Sequence, residues 1–207
     1  MLEHVPAWLG TLLKNVRAGH DKLVIAQQDI AGPARPIDLS SPGFANGGRL
    51  PERFTADGEG ISPPLNWGPL PPATASLALI VEDPDAPSFQ PLVHAIVWHI
   101  APGAHGLAEG AISPHRQGTA GGDVGRNSYL SHGWLPPDPP TGHGSHDYVF
   151  QLFALGEEVA TGSRPGRAAF VEAISGKVLA AGLLVGTYSR GEPAKPLDGG
   201  VGAAAPV

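Results

Sequence analysis

The positions of glycine and proline constrain the fold of this chain more than any other feature of its sequence. The 207 residues include 29 Gly and 23 Pro, yet the segments 73–83, 92–100 and 145–155 contain neither. Because both residues interrupt regular structure, these segments mark where it can form. They are rich in β-branched and aromatic residues, which predicts strands. The long loop 101–144 lies between two of them, and loops of that length are usually functional.

The composition predicts a folded chain and excludes several classes of function. An apolar fraction of 42% and a charged fraction of only 15% argue against disorder and predict one domain with a buried core. The formal net charge is -6 and there is no basic run, which disfavours nucleic acid as a partner. Cysteine is absent, so disulfides and thiolate chemistry are excluded.

The N-terminal region has the apolar spacing of a short amphipathic helix over residues 5–18. This helix would pack on the body of its own subunit or on a second subunit, which would make the protein a homodimer. The region lacks the cationic cluster and cleavage site of a secretory signal, and no stretch approaches the roughly 20 apolar residues of a membrane span. We therefore expect a cytoplasmic protein without a transmembrane segment.

The chain divides into three parts. Residues 1–36 are predicted to hold the N-terminal helix and a linker, residues 37–190 to form a mainly β domain, and residues 191–207 to be a disordered tail. Inside the domain, a second helix is predicted over 167–179 and a last strand over Leu183–Tyr188.

Acidic residues and prolines follow the most apolar strand. Asp83 and Asp85 flank Pro84, which biases the residue before it toward extended backbone, so the acids are held on a stiff turn. Strand alternation places Asp83 on the face of Val81 and Leu79. An isolated Asp-Pro is more often a turn than a site, but two acids directly after a buried strand also indicate function.

Histidines and a tyrosine lie on the other two strands. Alternation places His94 on the face of Ile96 and Trp98, and it places His146 and Tyr148 together on one face of the third strand. If the three strands are neighbours, these side chains and the two acids converge on one cavity at the strand ends. The remaining histidines are interpreted as surface or loop residues, and those nearest the candidate site are His132 and His143.

Such a group of side chains is suited to a phosphate ester. Histidine, tyrosine and the backbone N–H groups of a glycine-rich loop can donate to its oxygens, and Gly121, Gly122 and Gly125 are candidates for that loop. The carboxylates would repel the ester unless they keep the histidines protonated or meet a cationic part of the ligand. A divalent metal site is the alternative, but there is no HExxH or HxH spacing, and no hydrolase or nucleotide-binding motif occurs.

Several blocks of residues also occur in a recognisable order between Ile37 and Arg190. They are Phe54–Gly58 with Ile61–Trp67, Asp83–Pro87 with His94, Pro139–Gly142 with His146–Phe150, and Lys177–Ala180 with Gly186–Tyr188. In this order they resemble the phosphatidylethanolamine-binding protein family, which includes the Raf kinase inhibitor proteins, and its bacterial branch in particular. Two features depart from the family pattern: Val93 replaces an aromatic residue, and Ser131–Asp138 lengthens a usually short connection.

The resemblance implies a fold and a site. The fold would be a large antiparallel Greek-key sheet packed on a smaller sheet, with peripheral N- and C-terminal helices and an anion pocket at one edge. The expected ligand-binding residues are Asp83, Asp85, His94, His146 and Tyr148, with Pro84, Gly125 and Pro140 beside them.

Three functions follow, in order of preference. The first is a non-catalytic protein that binds a phosphorylated small molecule or a phospholipid head group, with no cofactor. The second is a regulatory protein that inhibits a kinase or a protease through protein contact. The third is a hydrolase or metal-dependent enzyme.

Overall fold

The computed structural model describes residues 11–31, 34–113, 122–160, 162 and 165–190. Within these ranges there are ten strands, three short 3-10 turns and two α-helices with both ends described; residues 11–12 are helical as well. The strands are β1 (Arg35–Pro36), β2 (Leu39–Ser40), β3 (Gly48–Arg49), β4 (Leu65–Trp67), β5 (Ser76–Asp83), β6 (Leu92–Ile100), β7 (Gly106–Leu107), β8 (Asp123–Val124), β9 (His146–Leu155) and β10 (Val178–Tyr188). The helices are α1 (Gln28–Ala31) and α2 (Arg167–Ile174), and the 3-10 turns are His20–Lys22, Val24–Ala26 and Glu52–Phe54.

The strands form a large sheet and a small one. The large sheet has the order β1-β10-β9-β5-β6-β8, and β3 pairs with β10 as well. The small sheet has the order β2-β4-β7. The predicted mainly β architecture is therefore confirmed, with one correction: the large sheet is mixed, because β1 and β3 both run parallel to β10.

Strand β5 lies at the centre of the core and is buried along its whole length. Leu79 and Val81 pack with the small sheet on one face, while Ala78 and Ile80 pack with α2 on the other. Burial on both faces explains why this strand is apolar at consecutive positions rather than at alternate ones.

The helix α2 is shorter than the sequence analysis predicted. It ends at Ile174 rather than at residue 179, since Gly176 adopts a φ of 73° in the left-handed region and turns the chain. Strand β10 then begins at Val178, five residues before the predicted start. The left-handed glycine thus ends the helix, and the apolar residues after it belong to the sheet.

The N-terminal arm, residues 11–31, packs along the turn after β5. The amide N–H groups of Ala18 and Gly19 donate to the carbonyl oxygens of Ala86 and Pro84, at 3.0 and 2.9 Å. Residues 11–12 are helical and 13–15 form a turn, so the predicted helix does not continue to residue 18; its first half and the tail 191–207 lie outside the described residues. No helix in the described ranges has the length and apolar character needed to span a membrane.

Candidate functional site

A cavity of about 340 Å³ opens where the three central strands meet at one edge of the sheet. Because β5 is antiparallel to β6 and β9, its last residues lie beside the first residues of both. This topology brings Asp83 next to His94, His146 and Tyr148, as the sequence predicted. The cavity is lined by Ala56, Asp83, Ala86, Pro87, Ser88, Leu92, His94, Tyr129, Leu135, Pro136, Asp138, Pro139, Pro140, His146 and Tyr148.

His94 reaches the cavity through a β-bulge. The pairing of β5 with β6 shifts by one residue at this histidine, which leaves it as an extra residue in the strand. Ile96 and Trp98 pack on the α2 side of the sheet, whereas the His94 ring lies 5.0 Å from the Tyr148 ring on the cavity side. The prediction that His94 shares a face with Ile96 and Trp98 was therefore wrong, because the bulge reverses the alternation.

A chain of hydrogen bonds connects the floor of the cavity with the N-terminal arm. The Asp83 carboxylate accepts a bond from His146 Nδ1 at 2.7 Å, and His146 Nε2 lies 2.7 Å from His143 Nδ1. His143 Nε2 then donates to the carbonyl oxygen of Leu13 at 2.9 Å. The side chains of Asp83, His146 and His143 are all buried. Sequence reasoning gave His143 no role, because its partner Leu13 is 130 residues away and no spacing pattern reveals that contact.

Two buried polar atoms face the cavity without a partner. His94 Nδ1 donates to the carbonyl oxygen of Leu135 at 2.6 Å, but in the described part of the chain neither His94 Nε2 nor the Tyr148 hydroxyl has a hydrogen-bond partner. Burial lowers the pKa of His94 and raises the pKa of Tyr148 well above its ordinary value. The imidazole is therefore neutral and the phenol protonated near pH 7. An unsatisfied buried polar group costs about 1–3 kcal/mol, so a ligand that satisfies both is favoured.

The long connection Ser131–Asp138 forms one wall of the cavity. Leu135, Pro136 and Asp138 line it. The Asp138 carboxylate forms an ion pair with Arg190, whose pKa is raised by hydrogen bonds to Asp57 and Asp138. Sequence reasoning identified the long connection but missed both members of this ion pair.

The other departure from the family pattern lies away from the cavity. Val93 packs on the α2 side of the sheet, so the replacement of an aromatic residue there does not alter the lining.

Asp85 and Pro84 shape the turn and do not line the cavity. The Asp85 carboxylate contacts Arg17 Nη1 at 2.5 Å and accepts the amide N–H of Asp147 at 2.7 Å. The carbonyl oxygen of Pro84 accepts the amide N–H of Gly19. The structure thus uses these two predicted ligand-binding residues to attach the N-terminal arm to the body.

Of the other residues predicted to contact the ligand, one lines the cavity and the glycines described do not. Pro140 lines the cavity, whereas Gly125 does not. The amide N–H of Gly125 donates to the carbonyl oxygen of Ile96, and a β-carbon at residue 125 would lie 2.6 Å from the carbonyl oxygen of Pro165. Glycine is required there for close packing rather than for anion contact. Gly122 is also absent from the lining, and Gly121 lies outside the described residues.

One group of described side chains has the spacing of metal ligands. Ligand atoms of His20, Asp85 and Asp147 all lie within 4.8 Å of one another. The Asp85 carboxylate already contacts the Arg17 guanidinium, and His20 Nε2 lies 3.2 Å from the Asp147 carboxylate. We therefore interpret the group as a cluster of polar contacts that holds the arm.

Comparison with known proteins adds a family assignment to this geometry. The family model described as phosphatidylethanolamine-binding protein matches residues 40–189. A UPF0098 protein of Methanothermobacter thermautotrophicus is 38% identical over 155 residues, covering 75% of this chain and 100% of that protein. A UPF0098 protein of Aquifex aeolicus is 36% identical over 156 residues, covering 74% and 89%.

Solved structures show the same fold. A phosphatidylethanolamine-binding protein homologue from Chlamydia trachomatis superposes with a TM-score of 0.68 at 32% identity, covering 76% of this chain and 99% of that one. Escherichia coli YbcL superposes with a TM-score of 0.69 at 26% identity, covering 74% and 98%. The segment matched by the family model begins at residue 40, so the N-terminal arm lies outside it.

Proposed function

The chain belongs to the phosphatidylethanolamine-binding protein family, and from the geometry of its cavity we propose that it is a non-catalytic protein that binds a phosphoryl group. The group would belong to a phosphorylated small molecule or to a phospholipid head group. The observation that supports this proposal is the pair of buried, unpartnered atoms, His94 Nε2 and the Tyr148 hydroxyl. Tyrosine donates directly to a phosphoryl oxygen, and His94 does so once Nε2 takes up a proton.

The charges around the cavity are compatible with an anion. Asp83 accepts hydrogen bonds from His146 Nδ1 and from the amide N–H of Asp85. Asp138 is paired with the permanently charged guanidinium of Arg190. Both carboxylates therefore have donors of their own, and their repulsion of a phosphoryl group is reduced.

The hydrogen bonds also support a binding role rather than catalysis. An Asp–His pair resembles part of a hydrolase triad, but the second ring nitrogen of His146 faces His143 rather than a hydroxyl nucleophile. Ser88 is the one serine in the described cavity lining, and its hydroxyl donates to the carbonyl oxygen of Gln90. These side chains are arranged to hold one another in place.

The test is calorimetry with inorganic phosphate and phosphoethanolamine on Tyr148→Phe. This variant keeps the ring and removes one hydrogen bond to a charged ligand, worth about 1.5–3 kcal/mol, so we expect binding about 10- to 100-fold weaker. Tyr188→Phe is the matched control, because Tyr188 is also buried but its hydroxyl donates to Asp57, outside the cavity. Identical isotherms for wild type and Tyr148→Phe, or no binding by wild type, would refute the proposal.

The source of the phosphoryl group is tested with vesicles. Phe89 and Leu130 are 97% and 74% exposed and directly follow two lining residues, Ser88 and Tyr129. If the ligand is a head group within a membrane, wild type binds vesicles of phosphatidylethanolamine and the double variant Phe89→Ser, Leu130→Ser binds them more weakly. If the ligand is a free metabolite, wild type binds phosphoethanolamine in solution and does not sediment with vesicles.

Inhibition of a kinase or protease stays a prediction, since no described residue identifies such a partner. A pull-down from native lysate that recovers no protein in stoichiometric amount would count against it. The enzyme alternative is tested by turnover of a panel of phosphoesters and by elemental analysis for bound metal.

A further inference from the structure

His143 and His146 form a buried pair behind the cavity. Their facing ring nitrogens are 2.7 Å apart, which is a hydrogen-bonding distance and requires one shared proton. The outer nitrogens face groups that only accept: His146 Nδ1 faces the Asp83 carboxylate, and His143 Nε2 faces the carbonyl oxygen of Leu13.

Counting protons gives the charge of this pair. Each outer nitrogen must bear a hydrogen, and a third hydrogen must lie between the two rings. Two neutral imidazoles bear only two N–H groups between them. All three hydrogen bonds therefore require one additional proton, and the pair has a charge of +1 opposite the Asp83 carboxylate.

The location of the additional proton follows from the surroundings. Burial and the neighbouring His146 lower the pKa of His143, which favours the neutral form of that ring. Neutral His143 donates from Nε2 to Leu13 and accepts at Nδ1. His146 then donates from both nitrogens and is the imidazolium, adjacent to the cavity that it lines.

From this geometry we propose that His143 is a positioning residue of the binding site: it accepts a hydrogen bond from His146 Nε2 and so keeps that ring protonated and oriented against Asp83. The carbonyl oxygen of Leu13 fixes the tautomer of His143, which makes the N-terminal arm part of the site. The inference rests on the proposed binding of a phosphoryl group, because the positive charge on His146 would attract that group.

Other charged and titratable groups surround the pair, and none of them replaces the contact from His143. Those on the cavity side and on the arm side are Asp83, Asp85, His94, Asp138, Asp147, Tyr148, Arg17 and His20. Arg17 contacts Asp85 and His20 contacts Asp147, so these two side chains of the arm are directed to other carboxylates.

The first measurement needs no variant. In wild-type protein labelled with ¹⁵N, nuclear magnetic resonance of the side chains at pH 6.5 should show both His146 nitrogens protonated and only Nε2 of His143 protonated. A His146 ring with one unprotonated nitrogen would overturn the proposal, whether or not phosphate binds. Absence of phosphate binding by wild type would instead overturn the proposed function, so the two failures are distinguishable.

The second measurement compares two variants at residue 143. His143→Phe removes the acceptor, and we expect the His146 ring to lose a proton and phosphate affinity to fall about tenfold at pH 7, the effect of about 1.4 kcal/mol. His143→Asn offers an amide oxygen near the former Nδ1, so it should restore the protonated His146 signal and most of the affinity. Circular dichroism checks that both variants are folded. Equal affinity and equal His146 signals in the Phe variant and wild type would overturn the proposal.

Discussion

Binding of a phosphoryl group should be linked to the uptake of a proton by His94. Its Nδ1 hydrogen is committed to the carbonyl oxygen of Leu135, and burial lowers its pKa, so Nε2 is an acceptor in the free protein near pH 7. A phosphoryl oxygen is also an acceptor, and the two repel each other unless a proton enters between them. The linkage is tested with His94→Gln, whose amide can donate near the Nε2 position but does not titrate.

The size of the effect follows from one proton. When binding requires that proton, each pH unit above the pKa of His94 in the ligand-free protein costs about 1.36 kcal/mol of binding free energy, which is tenfold in affinity. Between pH 7.0 and 8.5 the wild-type affinity should therefore fall by about 30-fold. Phosphoethanolamine is a suitable ligand because a phosphomonoester has a second pKa of about 6 and is a dianion throughout this range.

Calorimetry in two buffers with different ionisation enthalpies measures the proton directly. The observed heat of wild type should differ between the buffers by an amount equal to one proton taken up per ligand bound. For His94→Gln, the pH dependence should be shallower by about one proton and the heat less dependent on the buffer. Equal pH dependence in wild type and His94→Gln would refute the reasoning, and so would wild-type heats that are independent of the buffer.

Two further predictions concern stability. The Glu82 carboxylate is fully buried and contacts Arg167 Nε at 2.6 Å, so Glu82→Gln should lower the free energy of unfolding by about 3 kcal/mol in urea titrations. The control Glu157→Gln, at an exposed ion pair, should change it by less than about 0.5 kcal/mol. Equal effects of the two substitutions would contradict this prediction. The lowered pKa of His94 means that the unfolded chain binds more protons than the folded one just below pH 6.5, so without phosphate the urea midpoint should fall as the pH drops from 7.5 to 5.5, and less so in His94→Gln.

Strand alternation was sufficient to predict the face on which three of the cavity-lining residues lie. Asp83 lies at the end of an unbroken strand, and His146 and Tyr148 begin another, so a period of two residues gives their faces correctly. The same rule failed at His94, because a bulge inserts one residue and its position depends on pairing with a neighbouring strand. Local pattern therefore predicts the long strands, while tertiary pairing decides which face a residue adopts at an irregular position.

The loops supply contacts that no local pattern contains. Asp138 follows a run of prolines, and its partner Arg190 comes 52 residues later. The proposed role of His143 depends on its contact with the carbonyl oxygen of Leu13, a backbone atom that every residue type has. These residues could be assigned only from the folded chain, since the signal is a contact between distant segments rather than a motif.

The acids near the cavity would repel the proposed phosphoryl group, and the side chains that contact them reduce this repulsion. Four carboxylates at this edge of the sheet each contact an arginine or a histidine side chain. The pairs are Glu82 with Arg167, Asp83 with His146, Asp85 with Arg17, and Asp138 with Arg190. Three of these pairs involve the N-terminal arm: Asp85 contacts Arg17, and Glu82 accepts the amide N–H of Val24. The third, Asp83 with His146, involves the arm indirectly, through the Leu13 carbonyl oxygen bound to His143. The arm lies outside the segment matched by the family model, so this chain adds these contacts to a cavity built on the family fold.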